Sequence, residues 1–85
     1  MKNQFQMSSR DINHAALAKA AGLAVEVVRQ AGGRRCVFYF SDAPEIRELL
    51  DRYERRECLP LPAKSVLQAR TELFHEAARV IREGL

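Results

Sequence analysis

The chain has 85 residues, of which 47% are hydrophobic and 29% charged, and its formal net charge is +3. This length predicts a single small domain over residues 1–85, and the composition excludes an intrinsically disordered chain. No segment approaches the roughly 20 apolar residues of a membrane span, and the N-terminus lacks the apolar stretch of a signal peptide. Two cysteines, Cys36 and Cys58, are too few for a disulfide framework, although one bridge between them stays open. We therefore expect a cytoplasmic protein with no membrane partner.

The N-terminal part predicts a short strand followed by a helix. Phe5 and Met7 alternate with polar residues, as in a half-buried strand. Ser8 or Ser9 then offers a helix N-cap, and Asp11 adds a negative charge to the first turn. An alanine-rich stretch with apolar residues at helical spacing follows, and it would let another layer approach the helix backbone closely.

Two β-branched stretches then predict a β-hairpin. Gly22 suits the left-handed residue after the first helix, and residues 23–30 and 34–40 form the two strands. The intervening Ala31-Gly32-Gly33 supplies the positive φ angles of a tight reversal. Because the strand that ends at Phe40 is apolar on both faces, we expect it to lie centrally in an antiparallel sheet of order 1-3-2.

A helix start follows that strand directly. Asp42 is predicted as the N-cap, Glu45 as the residue that closes a capping box, and Pro44 as a first-turn residue. The helix over 43–57 has apolar residues at positions i, i+3, i+4 and i+7, and a proline-containing segment then breaks it.

The last predicted helix, over residues 63–83, is long for so small a domain. It begins after Pro62 and would reach ~32 Å, so we expect part of it to overhang the core or to meet a second chain. The order is βαββαα, an α+β fold whose helices cover one face of the three-stranded sheet. The candidate self-association residues lie on the apolar side of this helix: Leu73, Phe74, Ala77, Val80 and Ile81.

The residue types that carry catalysis or metal binding are few. His14 and His75, together with the two cysteines, lack the spacing of zinc ligands, so we expect no metal and no cofactor. The serines lie at predicted helix starts, where capping explains them, so we expect no enzymatic activity.

Arginines are the remaining candidates for a binding site. They form one cluster at the hairpin end and a second at the end of the middle helix: Arg29, Arg34, Arg35, Arg52, Arg55 and Arg56. Both clusters are candidate nucleic-acid contacts, although acidic residues are interspersed with the second. The strand and two helices after residue 35 are also similar to a ribbon-helix-helix repressor, whose paired strands enter the major groove. Val37 and Tyr39 would then face the bases, which is a poor surface for base readout.

The chain also resembles a family of small bacterial and phage-associated proteins that is classed only as a domain of unknown function. The matching features are Phe5, Ser8-Ser9-Arg10-Asp11, Gly22, Val25, the segment 33–40, Leu49-Leu50 and Tyr53. The resemblance covers roughly residues 4 to 75 and implies the βαββαα fold and a mobile-element context. It supplies no catalytic or binding residues to transfer.

These observations lead to two functional hypotheses. The first is a non-enzymatic interaction module that forms a homodimer through the C-terminal helix, a sheet edge or both. The alternative is a nucleic-acid-binding protein, either ribbon-helix-helix-like or an arginine-patch binder, that regulates a mobile element.

Overall fold

The computed structural model describes residues 6–83, and over this range the predicted βαββαα order is confirmed. The elements are β1 (Met7–Ser9), α1 (Ile12–Ala20), β2 (Val25–Arg29), β3 (Cys36–Phe40), α2 (Pro44–Glu54) and α3 (Ala63–Glu83). Phe5, which was expected in the first strand, lies outside the described residues.

The three strands form one antiparallel sheet in the predicted order β1-β3-β2. Tyr39 of β3 lies between Ser8 of β1 and Glu26 of β2, and Val37 lies opposite Val28. Since β3 has a neighbour along both edges, it has no free edge for pairing with a second copy. A ribbon-helix-helix dimer pairs such strands between two copies, so this topology disfavours that version of the nucleic-acid hypothesis, which stays a prediction.

One face of the sheet packs on the helices through two adjoining cores. The first joins α1, the sheet and α3 through Ala15, Ala16, Val27, Cys36, Phe38, Ala69 and Leu73. The second joins α1, β3 and α2 through Leu17, Ala18, Phe40, Ile46 and Leu49. Four consecutive α1 residues are thus buried, because α1 lies between the sheet and both other helices. Three of the four are alanines, whose small size permits the close approach that the alanine-rich sequence predicted.

The helix starts differ from the expected caps. Asp11 is the N-cap of α1, where its carboxylate accepts the backbone N–H of Asn13 at 2.8 Å. Ser9 instead accepts the N–H of Asp11 at 3.0 Å. At α2 the N-cap is Ala43, without a side-chain cap, so the predicted Asp42–Glu45 capping box is wrong.

Asp42 makes a different contact because a cation is available nearby. The guanidinium of Arg47 donates two hydrogen bonds to its carboxylate, and these bonds hold the pKa of Asp42 below its usual value. A charge-assisted, bidentate bond is stronger than a bond from a backbone N–H, which explains the outcome. Pro44 lies in the first turn of α2, as predicted.

The expected overhang of the last helix is not found. Apolar residues from Val66 to Ile81 pack against the first core, so α3 lies along the body of the domain, whose longest dimension is 39 Å. The length of α3 is therefore accommodated within one copy. Any case for self-association must come from its outward-facing side chains.

Candidate functional site: the outer side of α3 and an arginine-rimmed groove

The five predicted self-association residues divide between the two sides of α3. Leu73 is 1% exposed and belongs to the first core, so it is not available to a partner. Ala77, Val80 and Ile81 are half-buried against the same core. Phe74 is 60% exposed, which leaves most of its ring in water.

The predicted self-association residues do not include a second large apolar side chain of this helix, Leu67. Leu67 is 64% exposed and lies two turns before Phe74. Leu67 and Phe74 belong to a line of uncharged residues that runs along one side of α3. We call this line the outer stripe, and it consists of Leu67, Thr71, Phe74, Ala78 and Ile81. The spacing of four and three residues keeps the stripe on one side of the helix. The heptad spacing is visible in the sequence, but which side of α3 faces the core is not.

A groove lies between α3, the start of α1 and the sheet. The groove has a volume of about 450 Å³, and its floor is apolar. The floor consists of Ile12, Cys36, Phe38, Phe74, Ala77 and Ile81. Three arginines complete the lining, and we call them the rim of the groove: Arg10, Arg35 and Arg70. None of the described residues that line the groove carries a carboxylate, so its rim is purely cationic.

Arg70 is held at the rim by α1. Its Nε donates a hydrogen bond to Asn13 Oδ1 at 2.9 Å, and Asn13 Nδ2 donates to the hydroxyl of Tyr53 at 3.0 Å. One amide therefore connects α1 with both other helices. Arg70 is 35 residues from Arg35 in the sequence, so only the tertiary fold brings these cations to one groove.

The two predicted arginine clusters have different surroundings. In the second, Arg55 contacts Asp51 at 2.9 Å and Glu57 at 3.1 Å, and Arg52 donates to a backbone carbonyl at 3.5 Å. Arg56 has a φ of 60° in the turn after α2. The charge of Arg55 is thus balanced locally, whereas Arg52 and Arg56 make no ion pair with the described carboxylates.

At the hairpin end, Arg29, Arg34 and Arg35 make no ion pair with the described carboxylates. Arg34 and Arg35 are exposed, whereas Arg29 is half-buried and its Nε has no hydrogen-bond partner among the described residues. Arg10 adds a fourth positive charge, because it follows β1 and borders the same end of the sheet. Sequence reasoning did not include it in the cluster.

The two cysteines are free, and their surroundings differ. Cys36 is buried, and its thiol is 3.8 Å from the carbonyl oxygen of Ala77. Burial raises the pKa of the Cys36 thiol, an effect that the nearby Arg29 partly opposes. Cys58 is exposed. Because the pKa of Cys36 is raised, Cys36 contributes a neutral thiol to the floor of the groove at neutral pH.

Ser9, His14 and Glu54 form a hydrogen-bonded chain that sequence reasoning also missed. Ser9 Oγ lies 2.9 Å from His14 Nδ1, and His14 Nε2 lies 3.0 Å from Glu54 Oε2. The imidazole also packs edge-on against Tyr53, with ring centroids 5.6 Å apart. These contacts connect β1, α1 and α2, and none of them involves the groove. We therefore interpret His14 as a residue that holds these three elements together.

Residues 6–83 contain neither a cluster of metal ligands nor a membrane-spanning helix. No group of three or more His, Cys, Asp and Glu side chains in this range is arranged to hold a metal ion. None of the helices there is long and apolar enough to cross a bilayer.

Comparison with known proteins gives no further assignment. The chain matches no protein-family model, and neither the curated proteins nor the solved structures contain a significant match. The resemblance to the phage-associated family therefore stays a prediction.

Proposed function

We propose that this chain is a non-enzymatic interaction module that self-associates through α3. The observation that carries the proposal is the outer stripe, where Phe74 and Leu67 expose 60% and 64% of their surface. Large apolar side chains aligned along one helix favour packing against another apolar surface.

The spacing of the outer stripe suits a second copy of the same helix. Leu67 and Ile81 each lie seven residues from Phe74, on opposite sides of it. When two α3 helices pack antiparallel about a two-fold axis at Phe74, the two phenyl rings meet. Each Leu67 then meets the Ile81 of the other copy. Such self-complementarity is what a two-fold interface requires of a single surface.

The size of the stripe predicts a weak association. Its ends are ~21 Å apart, and a helix with side chains is about 10 Å wide, so the stripe covers on the order of 200 Å². A stable interface buries about 800 Å² on each partner. Residues beside the stripe add to the contact, but we expect dissociation constants in the micromolar range or weaker.

Sedimentation equilibrium between ~10 µM and ~1 mM tests the proposal over the range where such a dimer forms. The wild-type chain should shift from monomer to dimer, and Leu67→Glu and Phe74→Glu should each remain monomeric, because a carboxylate cannot be buried unpaired. Gln68→Glu is the matched control, since it adds the same charge to an exposed position beside the stripe. A monomeric wild type at the highest concentration, or equal loss in the control, would contradict the proposal.

A second candidate function is binding of single-stranded nucleic acid at the hairpin end. One face of the sheet is not covered by the helices. Arg29, Arg34 and Arg35 lie at the end of this face and have no carboxylate partner among the described residues, and this favours the second function. A shallow cleft on that face includes Arg10, Val37 and Tyr39. A tyrosine on an open sheet offers a base-stacking surface, and the arginines offer phosphate contacts.

Fluorescence anisotropy with a labelled single-stranded oligonucleotide tests this second function. Counterion release predicts a log–log salt slope of about −2 to −3 for three or four phosphate contacts. Arg34→Gln should weaken binding, whereas Arg55→Gln should have little effect because Arg55 is already paired with acidic residues. A flat titration at low salt, or equal effects of the two substitutions, would exclude the hairpin-end site.

A further inference from the structure

We infer that the groove beside α3 binds a small aliphatic carboxylate, with the chain on the apolar floor and the carboxylate at the arginine rim. This is a ligand site in addition to the proposed self-association, and the two share Phe74 and Ile81. Its volume of about 450 Å³ lies within the range of small-molecule sites. Three features of the groove define the ligand. They are the positive charge of the rim, the apolar character of the floor, and the hydrogen bonds that the polar groups of the groove already make.

The charge of the rim requires an anion. Arg10, Arg35 and Arg70 line one groove that has no carboxylate in its lining, so their mutual repulsion is not balanced locally. A guanidinium presents N–H groups in a fork that matches the two oxygens of a carboxylate. The Asn13 hydrogen bond uses only Nε of Arg70, which leaves its terminal N–H groups available.

The floor requires an apolar body attached to that anion. Phe74 and Ile81 lie two helical turns apart, about 10 Å, and this distance gives the floor room for an extended aliphatic chain. The one polar side-chain group of the floor is the Cys36 thiol, which is already directed at the carbonyl oxygen of Ala77. Because burial raises its pKa, the thiol stays neutral and does not repel an anion.

The same floor disfavours a peptide as the occupant. A peptide backbone carries N–H and C=O groups that lose free energy when they leave water without a partner. The one polar side-chain group of the floor, the Cys36 thiol, is already directed at the carbonyl oxygen of Ala77, so the floor offers no side-chain partner to a peptide backbone. An aliphatic chain has no such groups, so a free carboxylic acid suits the floor better.

The test is a titration of the full chain with sodium octanoate below its micelle concentration, followed by methyl and aromatic NMR shifts. We expect saturable shifts at Ile12, Phe38, Phe74 and Ile81. Octanol, which has the same chain without the charge, should bind at least about tenfold more weakly, because it loses a charge-assisted hydrogen bond. Acetate and inorganic phosphate should not produce these shifts, since they lack the chain.

Two matched substitutions locate the carboxylate. Arg35→Gln should weaken octanoate binding about tenfold or more, whereas Arg34→Gln removes the same charge one residue away, outside the groove. Both arginines are exposed, so both variants should fold. Absence of saturable shifts, equal affinity for octanol, or equal losses in the two variants would overturn the inference.

A third variant separates this site from self-association. Leu67 belongs to the outer stripe but does not line the groove. Leu67→Glu should therefore abolish dimer formation and keep or raise octanoate affinity, because a second copy packed on Phe74 and Ile81 would compete with octanoate for the floor. If it removed octanoate binding as well, the groove would not be a site of the single copy and the inference would be wrong.

Discussion

The neighbouring residues Leu73 and Phe74 should respond very differently to truncation. They are adjacent in α3, yet Leu73 is 1% exposed and Phe74 is 60% exposed. Leu73→Ala removes methyl groups from a packed core and leaves a cavity among its neighbours, whereas Phe74→Ala removes a ring that lies mostly in water. The pair therefore tests which side of the helix faces the core.

The magnitudes follow from these exposures. Truncation of a buried leucine to alanine costs about 3 to 5 kcal/mol. Full burial of a phenylalanine contributes about 1.5 to 3 kcal/mol, and only two-fifths of Phe74 is buried, so its truncation costs about 1 kcal/mol or less. A domain of this length has a free energy of unfolding of roughly 4 to 13 kcal/mol. Leu73→Ala thus removes a large part of it.

Urea unfolding at low micromolar protein, followed by far-UV circular dichroism, measures both costs without a contribution from self-association. Leu73→Ala should also lower the melting temperature by more than roughly 12 °C, at 4 to 8 °C for each kcal/mol. Equal losses in the two variants, or a larger loss for Phe74→Ala, would refute the orientation of α3. The outer stripe and the groove would then both be wrong, because each depends on that orientation.

Three further predictions concern single positions. Asn13→Ala removes the hydrogen bonds that connect α1 to both other helices and should cost about 1 to 2 kcal/mol in urea unfolding; an unchanged midpoint would contradict the bridge. A thiol reagent should label Cys58 rapidly in the folded protein and Cys36 only after unfolding, because Cys36 is buried with a raised pKa; two fast phases would exclude this. Gly22→Ala should cost about 1 to 2 kcal/mol because its φ is +96°, although its Cβ would meet no atom within 4 Å. Gly33→Ala is the control without a positive φ and should be neutral or slightly stabilising, so similar losses at both glycines would contradict the assigned conformations.

The order of elements was predictable because strong local signals agree with one another. The strand that ends at Phe40 is apolar on both faces, and Pro44 follows at a position where its missing N–H costs little. The glycines around the hairpin add turn chemistry, and Gly32 does adopt a φ of +74°. These signals depend on residues that are close in the sequence.

Capping was not predictable, because several polar side chains compete at each helix start. Asp42 had a backbone N–H within reach, but the guanidinium of Arg47 binds its carboxylate instead. At α1, Ser8 or Ser9 was predicted as the cap, but Asp11 takes that position, and His14 draws Ser9 into a different set of hydrogen bonds. Which partner prevails depends on neighbours that the local pattern does not rank.

The candidate site was predictable only in part. Phe74 and Ile81 belong to the predicted apolar side of α3, and Arg35 belongs to a predicted cluster. Arg10, which follows β1, and Arg70, which lies on α3, come to the same groove as Arg35 only through the tertiary fold. Periodicity shows that a helix has an apolar side, but it does not give the angle at which that side meets the core, so Leu73 and Phe74 could not be separated.

The burial of α1 has a consequence for how this chain is made. Its partners in the first core include Ala69 and Leu73, which are synthesised about fifty residues later. At roughly 5 to 20 residues per second, the buried stretch of α1 waits about 3 to 10 s before α3 can cover it. Three of its four buried residues are alanines, which present little apolar area to other nascent chains or chaperones. The small side chains that allow tight packing thus also limit aggregation before that packing exists.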